Sequence, residues 1–159
     1  MGRPSRAEIV VRLAKVVELV LADLGLTENQ YRALTLIDAG TPSLREFAIR
    51  LAMKPPNLST LIEGLVGRGL VTRQRDPSDG RRVVLTLTAS GQALLATAEA
   101  RAEGAIALVA SFDERREHAL LTAIDDWQTA LDGVAADLHN DLASGLDPTS
   151  KRKRTGSPK

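Results

Sequence analysis

The chain has 159 residues, of which 43% are hydrophobic, enough for one domain with helical extensions. It contains no cysteine, which excludes disulfides, thiolate metal ligands and thiol-based redox switches. The net charge is only +1, so the chain as a whole is neither strongly basic nor strongly acidic. No apolar run approaches the ~20 residues that span a bilayer, and the N-terminal segment lacks the unbroken apolar core of a signal peptide. A cytoplasmic protein is therefore expected.

Charge is concentrated at two places. Residues 145–159 hold five cations and one anion, a net charge of +4, which leaves −3 for residues 1–144. Within that acidic body, residues 68–82 hold five arginines and two aspartates, a net charge of +3. A cationic patch on an otherwise acidic chain indicates a surface that attracts a polyanion.

Two helices are predicted near the N-terminus. The first covers residues 6–24 and ends at Gly25, because apolar residues recur there at helical spacing. Its apolar stripe consists of Ile9, Leu13, Val16, Val17, Val20 and Leu24. A capping box of Thr27 and Gln30 begins the second helix, which stops near Asp38.

The next two helices are predicted to form a helix-turn-helix. A second capping box, Ser43 with Glu46, begins a short helix, and the two prolines of "KPP" end it. The following helix begins at Pro55 or Pro56 and runs to Gly69. Its predicted buried face consists of Leu58, Leu61, Ile62 and Leu65. Its exposed N-terminal half carries Asn57, Ser59 and Thr60. In a helix-turn-helix, this half presents side chains to base edges in the major groove.

A β-hairpin is predicted directly after this motif. Residues 70–75 form the first strand, "DPSDG" the turn, and residues 81–88 the return strand. In the first strand, Leu70 and Val71 are expected on opposite faces. The arginines around the turn are Arg73, Arg75, Arg81 and Arg82. The position of the hairpin favours a DNA-binding wing, and the alternative is an ordinary solvated turn.

The remainder is predicted to be helical up to about residue 143. Thr88 caps a helix that runs to about Val109, and a capping box at 111–114 begins a last helix over about 113–143. This helix has an apolar seam at heptad spacing. The seam consists of Leu120, Ile124, Trp127, Leu131, Val134 and Leu138. Residues 145–159 are expected to be a disordered basic tail, either simply solvated or an accessory phosphate contact.

The two terminal helices predict a homodimer. Their apolar stripes are not needed to complete a winged helix-turn-helix, and each large side chain left in water costs roughly 1.5–3 kcal/mol. The predicted dimer contacts are Ile9, Leu13, Val16, Leu120, Ile124, Trp127, Leu131, Val134 and Leu138. The alternative is that the stripes cover each other within one chain. The division expected is residues 6–26 with 92–143 for dimerisation and residues 27–91 for DNA binding.

These motifs together resemble the MarR family of transcriptional regulators. "GLTENQYRALTLI" is similar to the opening of that family's second helix, and the block 58–95 is similar to its most recognisable segment. The matching pieces of that block are Gly69-Leu70-Val71-Thr72-Arg73, Asp79-Gly80-Arg81 and Leu87-Thr88-Ala89-Ser90-Gly91. The resemblance covers roughly residues 10–140. It implies a homodimer, a winged helix-turn-helix in each subunit, a bundle of terminal helices, and a signal read between the two lobes.

The resemblance also implies which residues contact DNA. Arg81 is expected to enter the minor groove from the wing tip, with Asp79 orienting it. The enhanced negative potential of a narrow minor groove attracts an inserted guanidinium, and a neighbouring carboxylate can orient that group. Arg73, Arg75 and Arg82 are expected on phosphates. The full expected set is Ser43, Arg45, Lys54, Pro55, Asn57, Ser59, Thr60, Arg73, Arg75, Asp79, Arg81 and Arg82.

The chain departs from the family at Thr60 and near Gly64, where members often carry arginine. Asn57 can pair with adenine, whereas serine and threonine discriminate weakly between bases. The wing is therefore expected to supply an unusually large share of the affinity, and base specificity is expected to be modest.

An effector is implied by the resemblance alone. Family ligands lie between the two lobes, which here points to Val17, Leu21, Tyr31 and Thr35. The alternative is that these residues only pack the core between the lobes. A phenolic or other small aromatic effector is the expectation.

The predicted function is that of a sequence-specific regulator, a repressor of pseudo-palindromic operators in double-stranded DNA that a small ligand releases. The sequence has no Gly-rich phosphate loop or nucleophile elbow, so no enzyme and no cofactor are expected. His118 and His139 are too isolated to predict a metal site. The second candidate function is a winged-helix protein-interaction module with weak or nonspecific DNA binding.

Overall fold

The computed structural model describes residues 4–40, 43–75, 83–112, 115, 117–127 and 131. Its elements in chain order are α1 (Arg6–Asp23), α2 (Glu28–Asp38), α3 (Leu44–Arg50), α4 (Pro55–Gly67), β1 (Val71–Arg75), β2 (Val83–Leu87) and α5 (Ala89–Ala110). Residues 117–127 are also helical. The predicted class, mainly α with one β-hairpin, is confirmed. Among these described helices, none is long and apolar enough to cross a membrane.

Local hydrogen bonds set where most helices begin. The hydroxyls of Ser5, Thr27, Ser43 and Thr88 each accept a backbone N–H from the first turn of α1, α2, α3 and α5. Both predicted capping boxes are present. Each satisfies N–H groups that the helix itself leaves without a partner.

Three of these helices end in the same way. In each, a residue of positive φ lets two backbone N–H groups bond back to helix carbonyls, which is a Schellman motif. These residues are Gly25 (φ 66°) after α1, Ala52 (φ 52°) after α3 and Gly69 (φ 69°) after α4. At the second site, the Ala52 N–H bonds to Ile49 and the Met53 N–H to Ala48. A Cβ is unfavourable in the left-handed region, so Ala52 adds strain to the turn of the helix-turn-helix.

The second strand of the hairpin has the predicted alternation of faces. The structure differs from the prediction at the residue before the first strand. β1 and β2 pair antiparallel, and Leu85 and Leu87 are buried on one face of β2 as expected. Leu70 was expected to begin the first strand, but β1 begins at Val71, and both residues are buried. Leu70 belongs to the Schellman turn that ends α4, where its N–H bonds to the Leu65 carbonyl.

One apolar core joins the labelled elements. Its largest fully buried side chains are Phe47, Leu21, Leu34, Leu65, Leu85 and Val71. The first helix contacts this core through residues of its C-terminal half. Leu21, outside the predicted stripe, is fully buried, whereas Ile9, within it, is 52% exposed. Of the stripe, Val17 and Leu24 pack against the core. The N-terminal part of the stripe therefore stays open in the single chain.

The predicted seam of the last helix is also open wherever it is described. The exposed seam residues are Leu120, Ile124, Trp127 and Leu131. Val134, Leu138, His139 and the basic tail lie outside the described residues, as does part of the expected capping box at 111–114. Ser111 is the C-cap of α5, and its hydroxyl donates to the Leu108 carbonyl at 3.0 Å.

Candidate nucleic-acid interface

A groove forms where α3, the start of α4 and the hairpin meet. Its volume is about 410 Å³. Four of the predicted DNA contacts line it: Arg45, Pro55, Ser59 and Arg73. Leu58, Ile62 and Leu85 contribute apolar lining. Side chains from three separate elements are thus gathered on one surface, and two of these side chains, Arg45 and Arg73, are cationic.

The start of α4 points polar side chains outward. Asn57, Ser59 and Thr60 are exposed, while Leu58, Ile62 and Leu65 face the core. Lys54 is the N-cap and makes no side-chain cap bond. The prolines at the first two positions of α4 have no N–H, so little unpaired backbone remains there. The Thr60 hydroxyl donates to the Pro56 carbonyl at 3.2 Å, which restricts its use as a donor to a base.

Ser43 is primarily a helix cap. Its hydroxyl lies 3.0 Å from Glu46 Oε2 and accepts the Glu46 N–H at 3.3 Å. A contact between this hydroxyl and DNA would compete with the capping box. Arg45, two residues later in the first turn of α3, is exposed and better placed to meet a phosphate.

The arginines of β1 project into solvent. Arg73 lies opposite Leu85 and Arg75 opposite Val83, and both arginines are exposed. Because strand side chains alternate, these two share one face about 6.8 Å apart. Asp79, Arg81 and Arg82 lie outside the described residues, so their expected roles stay predictions.

Arg68 does not line the groove. It is the C-cap of α4, at the opposite end of the helix from Asn57. Its Nη1 donates to the Gly25 carbonyl at 2.9 Å and to Gln30 Oε1 at 3.3 Å. Similarly, Arg101 of α5 pairs with Asp23 at the end of α1. Neither contact has a local sequence signal, since each partner lies tens of residues away along the chain.

The predicted effector residues lie where α1 and α2 pack on the core. Val17 and Tyr31 are partly buried against it, and Leu21 is fully buried within it. A ligand could therefore reach Leu21 only if the core opened. Burial raises the pKa of Tyr31, and the negative charges of Glu99 and Glu103 on α5 act in the same direction. Tyr31 is thus held as a neutral phenol.

The hydroxyl of the fourth expected effector residue, Thr35, is exposed and donates to the Tyr31 carbonyl at 3.1 Å. In the part of the chain that the structure describes, no three His, Asp or Glu side chains come close enough to hold a metal ion.

Comparison with known proteins identifies the family. The MarR family model matches residues 26–83, from the end of the α1–α2 turn to the start of β2. An uncharacterized HTH-type transcriptional regulator of Mycobacterium leprae is 30% identical over 118 residues, which cover 73% of this chain and 82% of that protein. The family and this relative are transcriptional regulators rather than enzymes, in agreement with the prediction.

Solved structures share the fold. CouR from Rhodococcus jostii RHA1, bound to p-coumaroyl-CoA, matches with a TM-score of 0.66 and 24% identity over 81% of this chain and 87% of its own. A mutant of S. aureus MepR bound to an oligodeoxyribonucleotide matches with a TM-score of 0.58 and 23% identity over 77% of this chain and 92% of its own. The chain belongs to the MarR family and is a winged helix-turn-helix transcriptional regulator.

Proposed function

We propose that this regulator acts in the cytoplasm as a homodimer, binds a pseudo-palindromic operator in double-stranded DNA, and represses transcription until a small aromatic ligand releases it. The observation that carries this proposal is the convergence of Arg45, Ser59 and Arg73 on one groove beside the exposed start of α4. The same fold in MepR has been solved with DNA bound, which supports DNA as the partner.

In this proposal α4 lies in the major groove. Lys54, Asn57 and Ser59 point outward from its first turns and reach base edges or phosphates. Arg45 and Arg73 flank them and meet the backbone on either side. Arg81 enters the minor groove from the wing tip. This role is inferred from the sequence pattern alone. Since the start of α4 has one lysine and no arginine, phosphate and wing contacts supply most of the affinity.

The dimer rests on apolar side chains that one chain leaves in water. Ile9 is 52% exposed and Trp127 is 55% exposed. Leu120, Ile124 and Leu131, which share heptad spacing with Trp127, are exposed as well. A second copy that brings its own residues 6–26 and 92–143 against these side chains would bury them. Two DNA-binding lobes, each spanning residues 27–91, would then face two half-sites about one helical turn apart.

The proposed release by a ligand is based on a solved structure of the same fold and on side chains of α1 and α2. CouR, which shares the fold, binds an aromatic acyl thioester. In this chain Val17 lies on α1 and Tyr31 and Thr35 lie on α2, and the neutral Tyr31 phenol can pair with a polar group on an aromatic ligand. Coupling on the order of 1–3 kcal/mol between this place and α4 would be ordinary for an allosteric regulator.

A footprint on the DNA that flanks the protein's own gene tests the proposal. We expect protection of two half-sites about 10 base pairs apart and an affinity that falls linearly with salt on logarithmic axes. Arg73→Ala should lower the salt slope by about one, as expected for one lost phosphate contact, and Arg81→Ala should weaken binding more. The matched control is Arg12→Ala, which removes an exposed arginine of α1. Arg101 is unsuitable as a control because it pairs with Asp23.

Two results would contradict the proposal. Equal losses from Arg81→Ala, Arg73→Ala and Arg12→Ala would remove the wing from the interface. The absence of competitor-resistant binding to the flanking DNA, together with a stable complex with another protein, would favour a protein-interaction module instead. A reporter under the footprinted promoter, with and without candidate aromatic acids, separates repression from activation.

A further inference from the structure

Arg68 connects three helices at one point. It is the C-cap of α4, and its Nη1 donates to the Gly25 carbonyl at 2.9 Å, just beyond the end of α1. The same nitrogen lies 3.3 Å from Oε1 of Gln30, in the first turn of α2. That oxygen also accepts the Thr27 N–H at 3.0 Å within the capping box. One guanidinium therefore joins the end of the recognition helix to the turn between α1 and α2.

Both backbone segments that Arg68 joins are well defined. Gly25 and Gly69 occupy the left-handed position of a Schellman motif, and the N–H groups of each motif bond back to their own helix. The Gly25 carbonyl is not needed for its motif and is available to Arg68. Because each end is closed by its own bonds, the guanidinium connects two stiff helix ends rather than two loose loops.

The end of α4 is also attached to α5. The Thr88 hydroxyl donates to the Gly69 carbonyl at 2.7 Å, and the Thr88 N–H donates to the Leu70 carbonyl at 3.0 Å. The C-terminal end of α4 is thus held from two sides, by Thr88 toward α5 and by Arg68 toward α1. In the proposed dimer, α1 and α5 belong to the dimerisation helices. These two contacts therefore fix the direction of α4 relative to those helices.

We propose that Arg68 is a positioning residue for DNA binding, which fixes the angle between α4 and α1 and thereby the separation of the two recognition helices in the dimer. This inference rests on the proposed dimeric function. A planar guanidinium can meet two acceptors from one side chain, which the ammonium of lysine does less well. Arg68 therefore acts through α4 and touches no base or phosphate itself.

A small rotation of α4 at its Arg68 end would displace the other end of the helix by a distance that matters for DNA binding. α4 has 13 residues, a length of about 20 Å at 1.5 Å per residue. A rotation of about 5° at the Arg68 end would move the other end, where Asn57 lies, by nearly 2 Å. That displacement is about half the ~3.4 Å rise of one base pair. Two loosened helices in one dimer would tolerate half-site spacings that the parent protein rejects.

A distance measurement between the two recognition helices tests this without DNA. The chain has no cysteine, so Asn57→Cys carries a single nitroxide per subunit, and pulsed electron resonance reports the distance between the pair. Arg68→Met is introduced into this labelled protein, with Arg68→Lys as the conservative variant. The matched control is Arg32→Met. Arg32 also donates to a helix-end carbonyl, that of Arg50 at 2.7 Å, but within the DNA-binding lobe.

We expect Arg68→Met to widen the distance distribution roughly twofold, Arg68→Lys to give an intermediate width, and Arg32→Met to leave it unchanged. On operators with one or two base pairs inserted between the half-sites, the affinity penalty should shrink roughly three- to tenfold for Arg68→Met, the size of effect expected from one solvent-exposed hydrogen bond. An unchanged width in folded Arg68→Met and Arg68→Lys, shown by parent-like melting, overturns the role of Arg68 alone. No dipolar coupling in the labelled parent overturns the dimer itself, and the inference with it.

Discussion

A methyl group on the Cα of Gly91 would lie 2.0 Å from the carbonyl oxygen of Leu70. Gly91 lies in the first turn of α5, and Leu70 directly precedes β1. Thr88 brings the two together, because its hydroxyl accepts the Gly91 N–H at 3.0 Å while its own N–H donates to the Leu70 carbonyl. The glycine of the Leu-Thr-x-x-Gly motif is therefore required by a close backbone contact and not by an unusual φ.

Gly91→Ala should strongly destabilise the fold. The added Cβ meets backbone atoms, which cannot move aside as a flexible side chain would. Either α5 or the start of the hairpin must shift, and both belong to the core. We expect a loss of roughly 2–4 kcal/mol in the free energy of unfolding, measured by urea denaturation at fixed protein concentration.

Gly64→Ala is the matched control. Gly64 lies inside α4, and a Cβ there would meet no atom within 4 Å. Replacing a helix-interior glycine by alanine removes unfolded-chain entropy and should raise stability by about 0.5–1 kcal/mol. Equal losses from both substitutions would show that the contact with Leu70 does not explain Gly91.

Ala52→Gly should stabilise the protein or leave its stability unchanged, in contrast to most replacements by glycine. Ala52 has a φ of 52° in the turn between α3 and α4. An L-residue in this region lowers the stability of the folded state by roughly 1–2 kcal/mol. Glycine removes that strain but loses about 0.4–1 kcal/mol of stability, because its unfolded chain has more conformational freedom. We expect a net gain of up to about 1 kcal/mol in urea denaturation. Ala52→Val, with a branched side chain at the same φ, should lose stability, and the opposite order of the two variants would contradict the strain.

The features that the sequence predicted well are those fixed by near neighbours. A capping box such as Thr27 with Gln30 needs residues only three positions apart, and a glycine such as Gly25 ends its helix through its own backbone freedom. The helix-turn-helix and the start of α5 followed from such signals. The end of α3 did not, because Ala52 adopts a glycine conformation without being glycine.

Contacts between distant segments were not predictable from the pattern. The stripe of α1 is wide enough to face two partners, and only the packing of the chain shows that Leu21 faces the core while Ile9 does not. Arg68 belongs to the cationic segment 68–82, but its guanidinium donates to the Gly25 carbonyl, 43 residues away along the chain. A positive charge in a cationic segment indicates attraction to DNA. The group that this charge contacts depends on which backbone atoms the fold brings close to it.

Trp127→Glu should convert the proposed dimer to a monomer. Trp127 is the single tryptophan of the chain and is 55% exposed in one subunit. Buried aromatic residues at the centre of an interface often carry 2 kcal/mol or more each, and a carboxylate in that place would also be desolvated. We expect the mass from light scattering to halve at micromolar concentration, with affinity for a full operator reduced accordingly.

The control for this substitution is Val66→Glu, which changes an exposed apolar residue on α4. It should leave the mass unchanged. A Trp127→Glu protein that keeps the mass of the parent would place the interface elsewhere, and a parent protein that is already monomeric would contradict the dimer.

Tyr31→Phe should remove a loss of stability at alkaline pH. Burial, Glu99 and Glu103 raise the pKa of Tyr31 above its ordinary value of 10.0. Above pH 10.0 the unfolded chain therefore loses this proton while the folded chain keeps it, and the free energy of unfolding falls as pH rises toward the folded pKa. The informative quantity is the difference in unfolding free energy between parent and Tyr31→Phe, because the remaining groups are the same in both proteins. This difference should be constant below pH 10.0. Above pH 10.0 the parent should lose stability relative to Tyr31→Phe. A parent that gains stability relative to Tyr31→Phe in that range would mean that the folded environment favours the phenolate, and would contradict the raised pKa of Tyr31.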